Sequence, residues 1–284
     1  MKFIKSVLGF LWRLAASALL IMGILVALNA LSAKIMQGFM RDNEPAYVTC
    51  FSCTKDVTVV NVYFGGYSDQ ATSHSGNLVG KVEGASVFVD YNRWGYDPEA
   101  IARYVVKYLE KNGLADREIR VFGFSMGMKP ATMLANKLYK DGREVTLIGI
   151  NPCFGADALR GDLGLESQLA KSKDSVSPWT VFVKDLIGWA KFMTLDISPS
   201  QFENYSIATV VEQVASLSEN TYPDAGVRVI VLMAGDDDTI NNKALREAYE
   251  PLSAEIVEIP KMRHTTVSWQ PEPYIEALHE LGIK

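Results

Sequence analysis

The chain has 284 residues, a formal net charge of −5, and 48% hydrophobic and 21% charged residues, close to globular averages. That length suits one large domain or two small ones, and no long polar, low-complexity or repeated segment marks it as disordered or solenoid. There is no basic block, which argues against nucleic acid as a partner, since such binding needs clustered Lys and Arg.

The first element is an uncharged run, residues 14–33, preceded by Lys2, Lys5 and Arg13. A helix needs roughly 20 apolar residues to cross a bilayer, and this run is long enough. It predicts a transmembrane anchor, with residues 1–40 as anchor and linker. The cations ahead of it hold that end in the cytoplasm and put the remainder of the chain on the extracytoplasmic side. The alternative is a cleaved signal and a secreted product. Its apolar core is usually shorter, about 7–15 residues, and Ala30-Leu31-Ser32 is a weak cleavage site.

Cys50 and Cys53 stand in C-F-S-C. Zinc normally takes four ligands and no second pair is suitably spaced, so a metal site is not expected. Outside the cytoplasm the plain reading is a local disulfide between them, leaving Cys153 as an unpaired, buried thiol.

Strand and helix signals then alternate. Strands are predicted at 57–64, 85–92, 118–124 and 144–150, from β-branched and aromatic runs. Helices are predicted at 98–113, opened by Pro98 and closed by Gly113, and at 128–142, closed by Gly142. The rhythm breaks over 154–226, where Trp179, Phe182, Leu186 and Trp189 form one helical stripe and Ile207, Val210, Val211, Val214 and Leu217 another. This predicts a helical insertion, its stripes facing a core. Strand 227–235, helix 242–252, strand 254–260 and helix 271–283 complete the chain. Apolar strands alternating with amphipathic helices predict an α/β protein with a mostly parallel sheet covered on both faces. Its core comprises residues 41–153 and 227–284, interrupted by 154–226. Ligands in such sheets bind at the carboxyl ends of the strands.

Ser125 sits at such an end, in Gly123-Phe124-Ser125-Met126-Gly127, between a predicted strand and helix. A sharp strand-to-helix turn exposes the middle side chain above the sheet, and small neighbours let strand and helix pass closely. The helix start supplies free N–H groups, and the Met126 amide is placed to meet a developing oxyanion. A serine nucleophile needs a base and an orienting acid. Of the three histidines, His279 lies late in a helix and His74 in a polar loop, whereas His264 directly follows the last strand. His264 is the expected base. For the acid, the strand beginning at Val227 ends in Asp236, Asp237 and Asp238, three adjacent carboxylates that repel unless solvated or paired. A solvated acidic turn or a helix N-cap is the competing reading.

The order Ser, Asp, His at successive strand ends, with G-x-S-x-G at the turn, resembles the α/β-hydrolase family from about residue 57 to the C-terminus. The family's G-x-x-D acid turn matches Gly235-Asp236-Asp237-Asp238 and selects Asp238. Its oxyanion loop corresponds to Phe64-Gly65-Gly66-Tyr67, with Phe64 where the family often has His, so the second oxyanion N–H is that of Gly66 or Tyr67. Residues 90–98 are imperfectly similar to the family's Asp-x-Arg-Gly loop, and 154–226 falls where the family places its cap. The resemblance implies a serine hydrolase with no cofactor or metal, acting on a small-molecule carboxylic ester or lipid-like acyl substrate. A serine peptidase, a thioesterase and a membrane-tethered binding module without activity are the alternatives.

Overall fold

The computed structural model describes residues 44–54, 56–66, 71, 75–91, 96–160, 216, 217 and 219–284, with isolated positions between 9 and 24. The chain divides into two compact units, Met1–Glu44 and Pro45–Lys284. In the first, the described positions between 9 and 24 are helical, and Trp12, Leu20, Ile21 and Ile24 are exposed. Most of the expected membrane span, 14–33, lies outside the described residues. Among the described residues no helix is long and apolar enough to cross a membrane.

In the second unit, the described residues form one sheet of seven strands: β1 (Ala46–Phe51), β2 (Val59–Phe64), β3 (Ala85–Tyr91), β4 (Glu118–Phe124), β5 (Val145–Ile150), β6 (Arg228–Ala234) and β7 (Glu255–Ile259). Their order is β1-β3-β2-β4-β5-β6-β7. All are parallel except β1, which pairs antiparallel with β3. Strand β1 is absent from the sequence expectation. Its run A-Y-V-T-C-F is as apolar as that of β2, yet only Ala46 is buried, because β1 lies at the sheet edge and pairs with β3 alone.

Helices α1 (Pro98–Lys111), α2 (Met128–Lys140), α3 (Asn242–Tyr249) and α4 (Glu272–Glu280) lie where the periodicity predicts them. Helix α1 starts on Pro98, with the Asp97 carboxylate accepting from the Glu99 and Ala100 amides, a capping arrangement that satisfies two orphan donors. Alternation along the strands builds two cores. Val60, Val62, Phe64, Val87, Val89 and Tyr91 face α1, α2 and α3. Tyr63, Phe88 and Phe122 face the other way with Tyr274 and Leu278 of α4. There Tyr63 stacks between Phe88 and Phe122, with ring centroids 5.0 and 4.6 Å apart. Because β2 to β7 run parallel, their carboxyl ends share one edge, and every loop named for chemistry leaves from it.

The expected insertion 154–226 falls mainly outside the described residues, including both aromatic and aliphatic stripes apart from Leu217. Its two described ends lie side by side: the Ala156 amide donates to the Leu217 carbonyl at 2.8 Å and the Thr221 amide to the Phe154 carbonyl at 2.9 Å. Cys50 and Cys53 are joined by a disulfide, and Cys153 is a buried free thiol.

Candidate active site

Strand β4 ends at Phe124, and Ser125-Met126-Gly127 turns directly into α2. Ser125 adopts φ +49°, a left-handed conformation that L side chains rarely take, at a cost of about 1–3 kcal/mol that the surrounding packing must hold. The flanking glycines serve a different need. A Cβ on Gly123 would lie 2.6 Å from the Met128 Cα, and one on Gly127 would collide with the Phe64 and Gly65 carbonyl oxygens. Both are required for close approach of backbone, one to the helix and one to the end of β2.

His264 reaches this turn from the loop after β7. Its Nε2 is 2.9 Å from Ser125 Oγ, and its Nδ1 is 2.9 Å from Asp237 Oδ2. All three residues are buried. With Nδ1–H donating to the carboxylate, Nε2 is left to accept from the serine hydroxyl. The ring also lies 5.4 Å from the Phe124 ring, centroid to centroid.

The acid on His264 is Asp237, which corrects the selection of Asp238 by motif spacing. The turn after β6 closes on the Asp237 side chain: Oδ1 accepts from the amides of Thr239 at 2.8 Å and Ile240 at 2.7 Å. A short acidic side chain bonds most readily to amides two and three residues ahead, so Asp237 folds inward over its own turn and Oδ2 is aimed at the imidazole. Asp238 points to solvent, its Oδ1 3.5 Å from the Thr239 hydroxyl. Asp236 is exposed too, its amide donating to the Met262 carbonyl. These two carboxylates border an open polar depression with Arg160, Lys243 and Arg263, where solvent and cations relieve their repulsion.

Met126 follows Ser125 in the turn, where first-turn amides lack intrahelical acceptors. Gly66 lies against the same turn: a Cβ there would sit 2.9 Å from the Phe124 ring and 3.4 Å from Ser125 Cβ. Tyr67, the other expected donor, lies outside the described residues, as do His74 and positions 92–95 of the imperfect loop match. His279 is exposed on α4, its Nε2 3.2 Å from the Lys81 carbonyl oxygen.

Sequence reading missed Asn151, the residue after β5. It is fully buried at φ +47°. Its Nδ2 donates to the His264 carbonyl at 2.6 Å and to the Tyr274 hydroxyl at 3.3 Å, and its Oδ1 accepts from the Ala234 amide at 2.8 Å. It therefore ties the ends of β5 and β6 to the histidine loop. The signal was available: a polar residue directly after a buried strand, on the edge that carries Ser125. Two residues on, the Cys153 amide donates to the Ser125 carbonyl at 2.8 Å. Burial pushes the Cys153 thiol up to about 12, so it is neutral at ordinary pH. Buried Lys129, in the first turn of α2, donates to the carbonyls of Ser216 and Glu219 at the end of the insertion.

Among the described residues no group of three or more His, Cys, Asp or Glu side chains is placed to hold a metal ion. The arrangement offers an activated hydroxyl, a base held by a carboxylate, and backbone amides beside the hydroxyl. That set suits nucleophilic attack on a carbonyl.

No protein-family model matches the sequence, and no curated protein is similar to it. Solved structures are similar in fold. An esterase from a marine microorganism has a TM-score of 0.54 at 16% identity, covering 84% of this chain and 99% of its own. The N-acyl homoserine lactonase AidH, complexed with N-butanoyl homoserine, gives 0.54 at 13% identity, covering 82% and 91%. The wild-type Vlm2 thioesterase domain gives 0.53 at 16% identity, covering 83% and 98%. At these identities the likeness carries the fold alone, and the shared fold is that of the α/β-hydrolases.

Proposed function

We propose, from the premise that this chain has the α/β-hydrolase fold, that it is a serine hydrolase cleaving a small carboxylic or acyl ester through an acyl-enzyme on Ser125. The observation that carries this reading is the unbroken line from Asp237 through His264 to Ser125, with both contacts at 2.9 Å. In the reaction, the Ser125 oxygen attacks the acyl carbonyl while His264 Nε2 takes its proton. Asp237 holds the imidazole and stabilises its charged form. The Met126 amide and an amide of the Gly66 loop bind the negative oxygen of the tetrahedral intermediate. His264 then returns the proton to the leaving alcohol, and water, activated by the same nitrogen, releases the acid.

The test is covalent labelling by a fluorophosphonate, followed by a substrate panel. Labelling should map to Ser125 and disappear in His264→Ala, and Ser125→Ala should lower p-nitrophenyl ester turnover by roughly 10⁴–10⁶-fold. A protein that never labels, or a Ser125→Ala variant with full activity, rejects the reading and favours a binding module. Since a lactonase and a thioesterase domain share the fold, the panel includes an N-acyl homoserine lactone, an acyl thioester and a peptide library. A preferred amide would make the chain a peptidase instead.

The apolar run 14–33 and the cations before it support a membrane tether, with the hydrolase unit on the extracytoplasmic side. The Cys50–Cys53 disulfide supports the same compartment. Protease protection of the full chain in sealed vesicles tests it: a hydrolase unit digested only from the cytoplasmic face rejects this orientation.

A further inference from the structure

We infer that Tyr91 is a positioning residue for the oxyanion site, its hydroxyl locking the Gly65–Gly66 peptide so that the Gly66 amide is the second oxyanion donor beside that of Met126. The inference rests on the serine-hydrolase reading above and assigns a residue that the sequence did not single out.

Phe64 at the end of β2 is opposite Val89 of β3, two residues before Tyr91. Val89 and Tyr91 share the sheet face that carries Phe64. From there the Tyr91 hydroxyl donates to the Gly65 carbonyl oxygen at 2.7 Å in a buried contact. Its ring is fixed edge-on against Tyr96, with centroids 5.0 Å apart. Burial holds the phenol well above its ordinary titration range, so it remains a donor at any working pH.

A clamp is needed here because two adjacent glycines flank the peptide. Without Cβ atoms the unit rotates between orientations at little steric cost. The peptide is trans, so its N–H points opposite to its C=O. Whatever fixes the Gly65 carbonyl therefore fixes the Gly66 amide. The carbonyl accepts from the Tyr91 hydroxyl and packs against Gly127, which has no Cβ to displace it. Gly66 itself packs on Phe124 and Ser125. The same peptide is thus tied at one end to β3 and at the other to the nucleophile turn, and its amide direction is set before substrate arrives, which is what makes an oxyanion donor effective.

Tyr91→Phe keeps the ring and removes only the clamp. The measurement uses the full chain, with the active fraction counted by fluorophosphonate titration so that misfolded protein does not enter. We expect kcat on p-nitrophenyl butyrate to fall roughly 10–100-fold with KM within about threefold. Affinity for a trifluoromethyl ketone, whose serine adduct carries the oxyanion, should fall by the same factor as kcat/KM. The pH profile should not move. In the Tyr91→Phe/Gly66→Ala pair, losses should be far from additive, because both act on one peptide. Wild-type kcat in Tyr91→Phe, a loss in KM alone, or additive losses overturn the inference. If Ser125→Ala is inactive while Tyr91→Phe is unimpaired, only Tyr91 is rejected; if Ser125→Ala is fully active, the hydrolase reading itself has failed.

Discussion

The turns after β4 and β6 occupy equivalent places on the sheet edge, yet different forces shape them. At the nucleophile turn the backbone leaves no room: Gly123 and Gly127 sit where any Cβ would strike main-chain atoms, and Ser125 between them takes φ +49°. At the acid turn a side chain, that of Asp237, closes the loop by accepting two amides. A turn set by sterics writes itself into sequence at fixed offsets. One set by a side-chain hydrogen bond admits several registers, and three consecutive aspartates offered three.

The sharpest way to break this contrast is at the acid turn. Asp237→Asn should lower kcat on a p-nitrophenyl ester by about 10⁴-fold, since the amide favours the wrong imidazole tautomer. Asp238→Asn should change it by less than about threefold, and equal losses at both positions would show that the turn is not committed to one register. Next comes the buried asparagine that joins the end of β6 to the histidine loop. Asn151→Ala leaves the His264 carbonyl and Ala234 amide without their partner and puts Ala at φ +47°, so urea unfolding should show a loss of about 2–4 kcal/mol. Gly127→Ala probes the steric turn. Overpacking against the end of β2 should cost about 1–3 kcal/mol and slow the enzyme, whereas an unchanged urea midpoint would mean the turn has slack.

The smallest effect lies beneath both turns. Burial lifts the Cys153 thiol from 9.0 to about 12. In the unfolded chain that thiol ionises first, so its contribution to stability is intact below pH 9 and is lost as pH rises toward 12. Cys153→Ala should therefore lose less stability than wild type between pH 8 and pH 10.5, read as the difference in urea midpoints. A parallel decline in both proteins removes Cys153 from the alkaline transition.

The inner strands and helices α1 to α4 were legible because each makes its own local pattern: apolar runs for β2, β4, β5 and β6, and Pro98, Gly113 and Gly142 at helix boundaries. Strand β1 was not, since its identity lies in its pairing with β3 and only one of its side chains is buried. Ser125 and His264 stand out in the sequence through their place after strands, and the structure brings them within 2.9 Å. Asn151 and Tyr91 were passed over because their partners, the His264 and Gly65 carbonyls, are backbone atoms far away in sequence, and no spacing rule points to them.

By itself, then, the sequence determined the parallel sheet, the helices on its faces and the sharp turn at Ser125, for these follow from alternation, capping and the volume of a Cβ. The tertiary structure decided which aspartate meets His264 and which side chains steady the histidine loop and the Gly65–Gly66 peptide. Those choices depend on hydrogen-bond directions between segments up to 123 residues apart, and direction exists only once the segments have packed.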